Sequence, residues 1–251
     1  MRAYAIIPVA LLAAACETQT QYTSGADYLS RYSGPAAAAP GKDGRAIDGE
    51  IREIANVEPD LRFPARIGLA RIERGRLSPV PGEEAEHWVT LTEDLGEGYG
   101  EFVPISPLVA AMVGRDTARG TSIEETVENI RRAAARQHVD YVLVYEASAT
   151  HDDEGNLLSI AEWTIIGIPL VPSRNVSVNA YAQAMLIDVR NGYPYGVATA
   201  HAYDDALSSL SRSRDVGRRL ERDSRLEAVA NLAEDVGGMM RELREIADAE
   251  T

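Results

Sequence analysis

The sequence predicts an α+β fold: a mostly antiparallel sheet, with two hairpins in its second half, packed by amphipathic helices that include a long C-terminal one. Three observations carry this. The first half alternates short strand-like and helix-like segments. The second half shifts to an apolar–polar alternation of period two, broken by turn clusters at 152–156 and Asn191-Gly192. From Leu226 to Ile246, apolar residues then recur at spacings of three and four. With 45 % hydrophobic residues in 251, the chain can bury a core.

Ile47, Ile51 and Ile54 stand at i, i+4 and i+7 and predict a short helical face at the start of one folded domain, residues 47–251. Ala65–Ile72 alternates apolar with polar or small residues behind Pro64 and predicts the first core strand, ending before the turn-prone Gly75. Pro81-Gly82 opens a helix over Glu83–Leu95, with acids in the first turn where the helix dipole favours them. Glu101–Ile105 reads as a short strand and Pro107–Val113 as a short helix. Ser122-Ile123-Glu124-Glu125 is a capping box, and Ile123, Val127, Ile130 and Ala134 give the following helix one apolar face as far as His138.

Val139–Ala149 is the next strand, and the turn cluster at 152–156 leads to a return strand near Leu157–Ile166. Val176–Asp188 and Tyr193–Tyr203 flank Asn191-Gly192, the second hairpin. Asp204-Asp205 ends that strand. In the C-terminal helix Leu226, Val229, Ala230, Ala233, Val236, Met240, Leu243 and Ile246 form the face laid on the sheet, and Gly237-Gly238 is a point of weakness or bending.

The N-terminal region has a different character. Arg2 precedes an apolar run whose core, Ala5–Ala15, is shorter than the roughly 20 residues a membrane-spanning helix needs. Leu11-Leu12-Ala13-Ala14-Ala15-Cys16 resembles the bacterial lipobox, with Ala13 where leucine is commonest. The resemblance implies a signal peptide over 1–15, cleavage before Cys16, and acylation of its thiol, so that acyl chains are the membrane anchor and the only covalent group. Cys16 is the single cysteine, which excludes an internal disulfide. Residues 16–46, rich in Thr, Gln, Ser, Gly and Ala, read as a lipidated cysteine and flexible tether. Tyr22, Tyr28 and Tyr32 also admit docking on the domain.

The formal net charge is −14, from 25 basic and 39 acidic residues, and Lys42 is the only lysine. That balance disfavours nucleic acid and anionic lipid headgroups as partners, since their phosphates need clustered cations. His87, His138, His151 and His201 are scattered, without the spacing of a zinc site, and no serine-hydrolase or phosphate-loop motif occurs. The acidic 151–156 cluster departs from the calcium-loop pattern. No catalytic residue, metal or cofactor is therefore expected. Arg212, Arg214, Arg218 and Arg219 interleave with Asp215, Glu221 and Asp223, which fits a salt-paired helix face better than an acidic-partner or glycan contact.

Trp163-Thr164-Ile165-Ile166-Gly167-Ile168-Pro169-Leu170-Val171-Pro172 is an unusually apolar stretch. Exposed, its Trp163, Ile166, Ile168, Leu170 and Val171 would contact a partner or lipid; folded back beneath the C-terminal helix, they would be core.

The element order, with Asp140-Tyr141-Val142-Leu143-Val144-Tyr145 after a helix and the Asp188-to-Gly192 hairpin spacing within Leu186–Gly192, resembles a periplasmic lipoprotein domain. It is similar, over about residues 65–246, to the α/β domain of the curli secretion lipoprotein, the penicillin-binding-protein activator lipoproteins and the amino-terminal domain of the Tol-Pal β-propeller protein. The resemblance implies a lipid-anchored, periplasm-facing envelope protein, at the inner or outer membrane, that acts by protein contact as scaffold, regulator or accessory factor. Self-assembly within an envelope or secretion complex, as a homo-oligomer, is the alternative, and a periplasmic hydrolase a more distant one. The paired membrane hairpins of a curli-type pore are not found in the sequence.

Overall fold

A computed structural model describes residues 17–31, 49–113, 122–152, 173–209 and 213–249. Its centre is a seven-stranded sheet in the order β1 (Glu17–Thr20), β7 (Pro194–Ser209), β6 (Ser173–Asp188), β5 (Tyr141–Asp152), β2 (Ala65–Glu73), with β3 (Arg76–Ser78) and β4 (Gly100–Pro104) sharing the outer side of β2. β1, β7, β6 and β5 are mutually antiparallel, β3 is antiparallel to β2, and β2 runs parallel to both β4 and β5. The expected α+β class and mostly antiparallel sheet are thus observed.

The helices divide between the two faces. α3 (Gly82–Leu95) and α6 (Ser213–Ala249) cover one, burying Ile67, Leu69, Leu143, Leu186 and a row of small residues against Leu232, Val236, Met239, Met240 and Leu243. α4 (Pro107–Val113) and α5 (Ile123–Arg136) cover the β2–β5 half of the other and the Ile187 end of β6, through Ile130, Ala133 and Ala134 on Val142, Val144 and Ile187. α5 starts on the expected capping box: Glu125 N–H donates to Ser122 Oγ at 3.2 Å, and Ser122 N–H donates to Glu125 Oε2 at 3.2 Å.

α6 lies close to the sheet because its underlying residues are small. Ala180, Ala182 and Ala184 of β6 and Ala198, Ala200 and Ala202 of β7 are all buried on that face, and a Cβ on Gly196 would meet Met239 Sδ at 2.7 Å. The expected bend at Gly237-Gly238 is not observed: α6 is assigned continuously from Ser213 to Ala249. Gly237 is buried where Leu91 of α3 approaches, so its missing side chain serves packing and the tertiary contact offsets its low helix propensity. α6 also begins earlier than its apolar repeat, taking in the arginine-rich stretch; there Arg218, Arg219 and Arg222 are exposed, and Arg222 pairs with Asp223 at 3.4 Å.

Three further expectations are corrected, and one falls outside the described residues. The tether read from residue 16 gives way over 17–31 to β1 and α1 (Gly25–Ser30): Glu17 is already opposite Thr199, and Tyr22 stacks 6.3 Å from Tyr195. Backbone pairing and ring burial hold a segment whose composition alone reads as coil. β5 pairs along its length with β6, while the strand expected near Leu157–Ile166 lies outside the described residues. β7 does not stop at Asp204-Asp205 but pairs with β6 as far as Ser209, because the ladder outlasts the local turn preference. Ile51 and Ile54 fall on α2 (Gly49–Ala55) as spaced, yet both are exposed, Ile54 at 65 %: two turns flanking α1 reach neither covered face of the sheet.

At the β6–β7 turn end, tyrosine hydroxyls hold irregular chain in place. Tyr141 donates to Asp60 O at 2.8 Å and accepts from Arg62 N–H at 2.8 Å. Tyr195 accepts from Asp60 N–H at 2.9 Å, and Tyr193 both donates to Thr23 O and accepts from Thr23 N–H. Burial raises all three phenols above their ordinary range, so they stay protonated and able to donate.

Candidate functional site

Period-two alternation over 180–185 of β6 and 197–203 of β7 sends alanines to α6 and the residues between them to the opposite face. Asn179, Tyr181, Gln183 and Met185 of β6 lie there in register with Tyr203, His201, Thr199 and Val197 of β7, and Glu146 of β5 stands opposite Gln183. Among the described residues, the helices on this side, α4 and α5, pack on β2, β5 and the Met185–Ile187 end of β6 and not over Asn179–Gln183. Tyr203 is 63 % and Val197 37 % exposed.

The face is ordered by its own contacts. Tyr181 Oη donates to Gln183 Oε1 at 2.8 Å, Gln183 Nε2 donates to Glu146 Oε1 at 2.6 Å, and the Tyr181 and His201 rings lie 5.0 Å apart at 55°. Fixed rings and amides lose little side-chain entropy on contact, which favours binding. Where the first turns of α5 overhang the sheet, Ile72, Ile123, Val127, Met185 and Val197 line a groove of about 310 Å³. Exposed Ile123, with Leu108 and Met112 on α4, extends the apolar character of this side. No lysine or arginine lies among these outward strand residues.

Two buried carboxylates, Glu84 and Asp188, are each held by several donors. Glu84, fully buried on α3, accepts from Arg71 Nε at 2.8 Å and Tyr145 Oη at 3.0 Å, with Arg225 Nε 3.5 Å away. Burial and the adjacent Glu84 carboxylate raise the Tyr145 phenol above its ordinary range, keeping it a neutral donor. Asp188, at the end of β6, accepts from Arg190 N–H at 2.7 Å, Arg190 Nη2 at 2.8 Å and Tyr195 Oη at 3.2 Å. That hydrogen bond to Asp188 holds the Arg190 guanidinium above its usual range. Neither carboxylate has a lone pair turned to a cleft, so both read as structural rather than acid–base groups.

Cys16, Trp163, Ile166, Ile168, Leu170 and Val171 lie outside the described residues. His87, His138 and His201 sit on α3, just beyond α5 and on β7, and no group of three His, Cys, Asp or Glu side chains that could hold a metal occurs among the described residues. Nor does any described helix have the length and apolarity to cross a membrane. The outer sheet face was missed in the sequence reading, although the Ala-Tyr-Ala-Gln-Ala-Met and Val-Ala-Thr-Ala-His-Ala-Tyr alternations carry the signal.

No protein-family model matches the chain, and no curated protein does. The solved structures similar to it include bacterial lipoproteins. A minor lipoprotein from Acinetobacter baumannii is 8 % identical over 72 % of this chain and 94 % of its own, with a TM-score of 0.33. Lipoprotein GNA1162 from Neisseria meningitidis is 15 % identical over 64 % and 97 %, with a TM-score of 0.31. A PelC dodecamer from Paraburkholderia phytofirmans is 16 % identical over 70 % and 92 %, with a TM-score of 0.25. Similarity at this level assigns no function to the chain.

Proposed function

We propose that this is a lipid-anchored cell-envelope protein, acylated on Cys16, that works by protein contact through the outer face of β5, β6 and β7 and not by catalysis. One observation carries the reading: β6 and β7 give their alanines to the chain's own helix and present Tyr181, Gln183, Met185, Val197, His201 and Tyr203 on the opposite side, where Val197 and Tyr203 are exposed among the described residues. Aromatic residues and methionine are enriched in protein interfaces. The lipid, in this reading, confines the face to the membrane and raises its effective concentration near envelope partners.

The test replaces Val197 with Arg and Tyr203 with Ala in the full-length protein. Both side chains are exposed, so the urea midpoint should correspond to a change of less than about 0.5 kcal/mol. Recovery of the crosslinked envelope partner should fall to background. Undiminished recovery at unchanged stability contradicts the assignment of this face.

A further inference from the structure

We propose that the cavity between α1, α2 and the β6–β7 turn binds a small organic anion, a carboxylate or phosphate monoester carried on an apolar body. The cavity shares no lining residue with the outer sheet face, and the inference does not rest on acylation of Cys16. Its volume of about 600 Å³ falls within the roughly 300–1,000 Å³ of small-molecule sites.

Charge selects the ligand. The chain has 39 acidic residues against 25 basic, yet among the described residues no carboxylate lines this cavity, while Arg31 and Arg131 both do. Arg132, the next residue on α5, pairs with Glu128. Arg131 has no such partner among the described residues: it donates from Nη2 to Val189 O at 3.1 Å, and its buried Nε finds no acceptor. Gly192, at φ +80°, makes room for this guanidinium, since a Cβ there would meet Nη1 at 3.0 Å. An oxyanion supplies the paired acceptors that a guanidinium fork takes, whereas a cationic ligand would meet two positive groups. The apolar half comes from α2, whose Ile51 and Ile54, 50 % and 65 % exposed, line the same cavity with Val57. An apolar body laid on them removes surface from water that the chain's own packing leaves wet. The walls are set before binding. Gly25 at the start of α1 lies against the Ala55 carbonyl with no space for a Cβ, and Asn191 Nδ2 donates to Glu58 O at 2.8 Å, tying the turn to the chain beyond α2. Preorganised walls of this kind lose little entropy when a ligand enters.

The test titrates the full-length protein in lipid nanodiscs with phenylbutyrate, hexyl phosphate and the uncharged phenylbutanol, read by saturation-transfer NMR against empty nanodiscs. At least one of the two anions should bind about tenfold or more tightly than the alcohol, the factor one charge-assisted hydrogen bond supplies. Arg131→Gln and Ile54→Glu, each with unchanged far-UV circular dichroism, should each weaken that binding about tenfold. Should Arg131→Gln fail to fold, Arg31→Gln, at an exposed position, takes its place. Tighter binding of phenylbutyrate assigns the site to carboxylic acids and tighter binding of hexyl phosphate to phosphate monoesters, and either result supports it. Equal binding of the alcohol, binding untouched by the variants, or no anion bound at millimolar concentration overturns the proposal. Binding that emerges only when residues 33–47 are exchanged for a Gly/Ser stretch of equal length gives the cavity to the chain's own segment and overturns it as well.

Discussion

Replacing Glu84 with alanine is expected to lower the unfolding free energy by about 3–5 kcal/mol, the range for removing one partner of a buried ion pair. Arg71 is only 4 % exposed and would keep its charge beneath α3 and α6 with Glu73 and Ser78 as its remaining partners, at 3.1 and 2.9 Å. Tyr145 Oη would lose its acceptor as well. Equilibrium urea unfolding, followed by far-UV circular dichroism, reads the loss. The double variant Arg71→Met with Glu84→Leu should recover most of it, because neither a buried charge nor its desolvation cost then remains. A single variant within about 1 kcal/mol of the parent would mean that the cluster is not enclosed as described.

A second large effect is expected at Asp188. Asp188→Ala leaves Arg190 N–H and Tyr195 Oη without their buried acceptor and frees the Arg190 side chain, which also holds Asp60 through Oδ2 at 2.9 Å and its carbonyl at 2.9 Å. We expect a loss of about 3 kcal/mol, combining unsatisfied donors with a broken charged pair. Exchange should also quicken at the Asp60 and Arg62 amides, which donate to Tyr195 and Tyr141. Asp188→Asn should recover part of the stability by restoring one acceptor. Unchanged protection at these two amides would show that the turn does not clamp the 56–62 segment.

Local signals predicted local structure well. The capping box at Ser122, the acidic start of α3, the Asn191-Gly192 turn with Gly192 at φ +80°, and the apolar repeat of α6 each depend on residues within a few positions of one another. What the sequence did not disclose is set by distance in the chain. Glu84 carries the first-turn acidity that a helix dipole favours, and only the meeting of α3 with β2 and β5 turns it into a buried ligand of Arg71 and Tyr145. β1 reads as linker because its four residues have no apolar face, and its order comes from the β7 edge, 176 positions away at the Thr20–Gly196 pair. The outer sheet face was half legible: the alternation separates two faces, but which one the chain leaves open depends on where α5 ends and α6 lies.

The account turns on that open face, and a photoreactive residue placed by amber suppression tests it most directly. Position 197 on the face and position 234, exposed on the far side of α6, are compared in intact cells under identical irradiation. The account predicts a discrete adduct with an envelope protein from position 197 and none from 234. Adducts from 234 alone, or the same pattern from both, would contradict it.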